Sequence, residues 1–221
     1  MPIVNDLGFI HYVEFASAKS DRETHENPTT LLLLHGTGGN ETDLLEMGKQ
    51  IAPEAAIISP RGKSLDEGVP RYFRRLAEGL FDIEDLKFRA NELADFVRAA
   101  MRKYNLDPTR VVAVGYSNGA NIAAGLLLLR PETLAGAVLF RAMIPLVPEN
   151  LPDLSEKPIF MAAGESDPIV PKEQAEGLAT LLEKCGALVT LHWRTGGAHA
   201  LTKEEIVLAR EWFATNFISF G

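Results

Sequence analysis

Apolar positions change their period several times along the chain, and each change marks an element. Residues 29–34 form a short, nearly continuous apolar run that ends in His35-Gly36-Thr37-Gly38-Gly39. A run of this kind, bounded by glycines, suits a strand buried on both faces of a sheet. Similar runs at 55–59, 111–114, 136–140, 158–163 and 187–193 predict further strands, and the aromatic and β-branched mixture over 9–15 predicts another. Between them the period lengthens. Over 82–104, Ile83, Leu86, Ala90, Leu93, Val97, Ala100, Met101 and Tyr104 recur at three- and four-residue steps with charges between, the pattern of an amphipathic helix. Helices are also predicted over 41–51, over 118–130 where Pro131 stops the run, over 171–184 with Pro171 in the first turn, and over 202–217, where Thr202 and Glu205 have capping-box spacing. The polar segment 17–30 reads as a surface loop.

Strands alternating with helices predict an α/β fold, with a mostly parallel sheet and helices on both faces. In such sheets ligands bind beyond the carboxyl ends of the strands. The 221 residues suit one domain spanning 1–221. Only residues 141–157 separate two of the late strands, which leaves no room for a large cap domain and predicts an open pocket.

Composition narrows the class. The chain is 46% hydrophobic, enough for a full core, and its net charge of −8 argues against nucleic acid or an anionic membrane as partner. Cys185 is the one cysteine, so no intrachain disulfide is expected and a reducing compartment fits. No apolar run approaches the ~20 residues of a membrane span, and no signal-peptide pattern opens the chain. The expectation is a cytoplasmic protein. No His, Cys and carboxylate cluster has metal-ligand spacing, so neither metal nor cofactor is predicted.

The chemistry concentrates after strands. Gly115-Tyr116-Ser117-Asn118-Gly119 lies between the run 111–114 and the helix predicted from Asn118. A serine at such a turn is held strained with its hydroxyl exposed, and the following helix aims free N–H groups at it. The hydroxyl needs a base, and histidine is the side chain suited to the task near neutral pH. His11 and His192 sit within strands, His25 in the polar loop, and His35 beside Gly36 at a turn. His199, in Gly196-Gly197-Ala198-His199-Ala200 after the last strand, is free to reach over Ser117. A carboxylate must orient that histidine. Asp167, in Gly164-Glu165-Ser166-Asp167-Pro168, is the candidate, with Glu165 as its rival. The chain order Ser117, Asp167, His199 is that of the α/β-hydrolase fold. Oxyanion donors are expected from the backbone of Asn118 and from Thr37. The glycine-rich loop lacks the Gly-Lys-Ser/Thr ending of a phosphate-binding loop.

Leu34-His35-Gly36-Thr37-Gly38-Gly39-Asn40-Glu41, Gly115-Tyr116-Ser117-Asn118-Gly119-Ala120-Asn121, Gly164-Glu165-Ser166-Asp167-Pro168 and Gly197-Ala198-His199 together resemble the carboxylesterase/phospholipase family of α/β-hydrolases. Pro70-Arg71-Tyr72-Phe73-Arg74-Arg75-Leu76 resembles one bacterial branch, which includes hydrolases linked to methylhydroquinone and quinone resistance. The resemblance implies a serine carboxylesterase with Ser117, Asp167 and His199 as triad, Thr37 and Asn118 as oxyanion hole, a small-molecule ester as substrate, and a possible homodimer. Thioesterase or lysophospholipase activity on the same triad, or a small-molecule receptor with a vestigial triad, are the alternatives. The family is also similar to dienelactone hydrolases, which carry cysteine at the nucleophile where this chain has Ser117.

The substrate pocket is the least defined part. Arg71 or Arg74, with Phe73, are candidates to line it, and an arginine there favours an acidic or phenolic substrate. Surface pairing with Glu67, Glu78, Asp82 or Glu84 is the competing role. Met143 and Ile144 follow the strand 136–140 and are candidates for the same pocket, or for core packing.

Overall fold

The computed structural model describes residues 3–16 and 28–218, so most of the loop predicted over 17–30, with His25, lies outside the described residues. In chain order the elements are β1 (Ile3–Asp6), β2 (Phe9–Glu14), β3 (Thr30–Leu34), α1 (Leu45–Ile51), β4 (Ala56–Pro60), β5 (Ser64–Asp66), β6 (Val69–Arg71), β7 (Arg75–Ala77), β8 (Leu80–Phe81) and α2 (Ile83–Tyr104). There follow β9 (Val111–Tyr116), α3 (Asn118–Leu129), β10 (Gly136–Phe140), β11 (Pro158–Gly164), α4 (Lys172–Lys184), β12 (Leu188–Arg194) and α5 (Lys203–Phe217).

Eight strands form the main sheet in the order β1-β2-β4-β3-β9-β10-β11-β12. β2 pairs antiparallel with β1 and β4, and the six strands from β4 to β12 run parallel. Alternation along each strand divides the core. Leu32, Leu34 and Ala113 face the layer built by α2, α3 and α4. Leu31, Leu33, Val112 and Val114 face α1 and α5, meeting Ile51, Ala209 and Phe213. α3 is buried around almost its whole circumference, as an apolar helix without a polar face must be.

The hydrophobic pattern located these elements to within two residues, with one larger difference. α1 begins at Leu45 rather than at residue 41, because the Asn40 side chain accepts hydrogen bonds from the Thr42 N–H and Oγ1 and holds a turn there. Pro171 stands at the extended residue just before α4 instead of in its first turn (ψ 145°). The capping box of α5 is present, with Thr202 and Glu205 bonded reciprocally.

β1 and the hairpins β5–β6 and β7–β8 have no strong apolar periodicity, and their signal lies in turns. Leu7-Gly8 and Glu67-Gly68 both have two successive positive φ values, the requirement of a tight two-residue hairpin turn. The segment 61–81, which follows the proline at residue 60 and would otherwise read as loop, is thereby folded over the carboxyl edge of the sheet.

α3 is seated directly on the ends of β3 and β9. A Cβ on Gly119 would lie 1.9 Å from the Leu34 carbonyl oxygen, and one on Gly115 would lie 2.6 Å from the Gly119 oxygen. Backbone on both sides leaves no side chain able to yield. Gly119→Ala is expected to cost about 1–3 kcal/mol or more, read as a fall in urea midpoint; an unchanged midpoint would mean that α3 is not held at this distance.

Candidate active site

Ser117 joins β9 to α3 at φ 53° and ψ −116°. A non-glycine residue in this region carries strain of the order of 1–3 kcal/mol, held only because the surroundings over-determine it. Here the Ser117 N–H donates to the Phe140 carbonyl at 2.8 Å and its own carbonyl accepts from the Asn121 N–H at 2.9 Å. The backbone is pinned on both sides, and the side chain projects above the sheet edge.

Two loops bring partners to it. The segment after β12 carries His199, whose Nε2 stands 3.0 Å from Ser117 Oγ. The segment after β11 carries Asp167, whose Oδ2 stands 2.8 Å from His199 Nδ1. The other oxygen, Oδ1, accepts from the N–H groups of Ile169 and Val170 at 2.8 and 3.1 Å. Asp167 is buried and its orientation fixed, whereas Glu165 is exposed and has no hydrogen bond to His199. The structure thus brings Ser117, His199 and Asp167 into one hydrogen-bonded series, although they are spread over much of the chain.

The histidine segment is held by Arg141, which the sequence did not single out as a site residue. Arg141 has no solvent exposure. Its Nε donates to the Ala198 carbonyl at 3.0 Å and its Nη2 to the Ala200 carbonyl at 2.9 Å, so it grips both neighbours of His199. The guanidinium forms a two-pronged pair with buried Glu205 at 2.6 and 3.0 Å, and its Nε lies 3.9 Å from Asp167 Oδ2. Burial works to raise the Glu205 pKa, but the hydrogen bonds from Arg141 and Thr202 outweigh it and the carboxylate titrates below its ordinary range. The available signal was a lone arginine closing an apolar strand, Val138-Leu139-Phe140-Arg141.

Thr37 and Asn118, the expected oxyanion donors, both line the cavity above Ser117. Neither backbone N–H has a hydrogen-bond acceptor among the described residues. The Thr37 loop is set by His35. Its Nδ1 is 2.6 Å from the Gly36 carbonyl, and its Nε2 accepts from the Gly62 N–H at 2.9 Å, which defines a neutral tautomer with the proton on Nδ1. Burial lowers the His35 pKa, against the raising effects of the Gly36 hydrogen bond and of Asp43 and Glu41.

A cavity of about 350 Å³ opens over Ser117 and His199, walled by Arg71, Arg75, Phe81, Met143 and Ile169 among others. Of the residues expected there, Arg71 and Met143 line it. Arg74 does not: it is 62% exposed and pairs with Asp82. Its neighbour Arg75, the first residue of β7, takes the cavity position, while the Arg74 N–H and guanidinium are tied to Asp85 and Asp82. Phe73 is fully buried against Phe81 at 5.0 Å, and Ile144 packs on α4 over Gly177. A larger hollow of about 530 Å³ beside β12 and α5 has no serine, cysteine or histidine in its walls, so chemistry rather than size marks the site. Among the described residues no group of His, Cys, Asp and Glu is arranged to hold a metal ion, and no helix is long and apolar enough to cross a membrane.

Residues 16–217 match the phospholipase/carboxylesterase family. The chain belongs to that family. It is 47% identical to the hydrolase MhqD of Bacillus subtilis over 87% of this chain and 95% of that one. The crystal structure of the Bacillus cereus carboxylesterase superposes with a TM-score of 0.89 at 45% identity, covering 95% of each chain. Acyl-protein thioesterase 1 of Kluyveromyces lactis is a more distant relative, 23% identical over 70% of this chain and 71% of that one. The fold is therefore the α/β-hydrolase fold, and the protein is a carboxylic ester hydrolase of the serine type.

Two outcomes follow from this geometry. Arg141→Met leaves Glu205 buried without its partner and frees the carbonyls flanking His199; a loss of about 3–5 kcal/mol in unfolding free energy is expected, and a loss below about 1 kcal/mol would show that the pair does not hold the loop. For His35, the folded pKa lies below the unfolded one, so its contribution is complete above the unfolded pKa of about 6.5 and is lost as pH falls toward the folded value. Urea midpoints of His35→Gln are expected to fall less steeply than wild type below about pH 6.5; parallel profiles would refute this.

Proposed function

We propose that the protein is a serine carboxylesterase acting on small to medium carboxylic esters through an acyl-enzyme. Ser117 Oγ attacks the ester carbonyl carbon while His199 Nε2 takes its proton. Asp167 accepts the hydrogen bond from Nδ1–H and stabilises the imidazolium. The carbonyl oxygen becomes an oxyanion facing the N–H groups of Thr37 and Asn118, whose freedom from other partners leaves them ready for it. Collapse expels the alcohol, which leaves with the proton from His199. Water, deprotonated by the same imidazole, then attacks the acyl carbon and releases the acid and Ser117.

The observation that carries this reading is the unbroken series from Ser117 Oγ through His199 to Asp167, at 3.0 and 2.8 Å. Those distances fall within the range proton transfer requires. The cavity volume of about 350 Å³ supports short acyl groups over long lipid chains, and the lone Cys185 agrees with a cytoplasmic setting.

Ser117→Ala is expected to lower kcat for p-nitrophenyl acetate by roughly 10⁴–10⁶-fold with an unchanged melting profile or one shifted upward, since alanine removes no buried contact here. Undiminished turnover in that variant overturns the assignment. A panel of acyl lengths separates esterase from thioesterase or lysophospholipase chemistry.

A further inference from the structure

Two arginines, Arg71 and Arg75, stand in the cavity wall, and Asp66 is the one carboxylate paired with them among the described residues. Arg71, at the end of β6, is only 4% exposed yet lines the cavity with Ser117 and His199. Its Nε donates to the Phe73 carbonyl and its Nη1 to Asp66 Oδ2, each at 3.3 Å. Its Nη2 has no partner among the described residues. The same Asp66 oxygen lies 2.7 Å from Arg75 Nε. Two guanidinium groups therefore share one carboxylate oxygen, and the nearer contact belongs to Arg75. Burial, and then the charge of Arg75, lower the Arg71 pKa, the mark of a cation short of counter-charge. Glu78 also lines the cavity, but it is exposed and makes no ion pair with either arginine. A charge in water is screened far more than one in the protein wall, so exposed Glu78 offsets the buried Arg71 only weakly.

The neutral groups on the same wall are donors too. Asn121 commits its Oδ1 to the Met143 N–H at 2.9 Å, which turns Nδ2 toward other partners, and it lines the cavity. Asn118 commits Oδ1 to the Tyr72 N–H at 2.8 Å, and its buried Nδ2 has no partner among the described residues. A wall offering the unpartnered end of a guanidinium and the Asn121 amide donor, whose acceptor is already used, is complementary to an anion.

Resting on the esterase reading, we propose that the preferred substrate is an ester bearing a free carboxylate, received by Arg71 with Arg75 while Ser117 attacks the ester carbonyl. The carboxylate lies either on the acyl part, as in a hemiester of a dicarboxylic acid, or on the alcohol part, as in an acylated hydroxy acid.

The experiment compares kcat/KM for charged esters with their neutral amide isosteres: phenyl hemiglutarate against phenyl 4-carbamoylbutanoate for the acyl arm, and 4-acetoxybenzoate against 4-acetoxybenzamide for the alcohol arm. Wild type is expected to favour the carboxylate by about 10–100-fold in one arm, the scale of a charge-assisted hydrogen bond, and that arm identifies which part carries it. The preference should shrink as salt rises. Arg71→Gln and Arg75→Gln should bring the ratio toward one, while Asp66→Asn, which removes the shared counter-charge, should raise it. Because each ratio is taken within one variant, partial loss of folding does not imitate the effect. Equal rates for charged and neutral esters in both arms, or a preference that survives Arg71→Gln and Arg75→Gln, overturn the proposal while leaving the esterase intact. Absence of turnover of every ester by wild type, p-nitrophenyl acetate included, overturns the esterase reading itself.

Discussion

A guanidinium without solvent contact is the constraint on which the site's geometry rests. Arg141 and Glu205 form their pair entirely inside the protein, where each charge costs several kcal/mol to desolvate. A hydrophobic pair of the same volume would often be as stable. What a hydrophobic pair cannot do is bind carbonyl oxygens. The five N–H groups of Arg141 are distributed among Glu205, the Ala162 carbonyl and the two carbonyls that flank His199. A glycine-rich segment, free to wander by itself, is thereby fixed to β10, β11 and α5 together. Glu205 also closes the capping box of α5, so the start of that helix and the position of His199 are set by one carboxylate.

A second constraint comes from backbone rather than charge. Gly115 and Gly119 allow α3 to approach β3 and β9 closely, and the turn between them leaves Ser117 at positive φ. The close approach also leaves the first N–H of α3 without an internal acceptor, since Asn118 opens the helix. Strain at the serine and an unsatisfied donor beside it are two results of the same packing. Neither is stabilising on its own; the all-apolar burial of α3 offsets both.

How much of this was legible in the sequence follows from which signals are periodic. The sheet and its helices were readable because Leu32 and Leu34 must face one layer and Leu31 and Leu33 the other, and because α2 repeats its apolar stripe over six turns of helix. Ser117, Asp167 and His199 were readable as candidates because each follows a strand in the order of a known fold. The hairpins of 61–81 were not. Their strands are two or three residues long, with no stripe to count, and only the turns at Glu67-Gly68 and Glu78-Gly79 mark them. Arg74 and Arg75 are equivalent in sequence, although Arg74 pairs with Asp82 at the surface and Arg75 lines the cavity. Arg141 was hidden for a different reason. Its partners are backbone carbonyls and a carboxylate far along the chain, and neither leaves a local pattern.

Asn118 joins the two halves of the site that the sequence presents separately. It lines the cavity beside Ser117, while its side-chain Oδ1 receives the Tyr72 N–H from the segment that follows β6. Tyr72 in turn donates its hydroxyl proton to the Pro60 carbonyl at 2.7 Å and accepts from the His35 N–H at 3.2 Å. The nucleophile turn, the Thr37 loop and the arginine-bearing wall are therefore linked through a single buried phenol and a single amide. Burial pushes the Tyr72 hydroxyl far above its ordinary pKa, which favours the neutral donor. Such a linkage makes the wall's position depend on the same hydrogen bonds that hold the Thr37 loop and the Ser117 turn. A substrate group bound at Arg71, as proposed, would then be held at a fixed distance from Ser117, which is the condition for binding energy at a remote group to lower the barrier at the ester carbon.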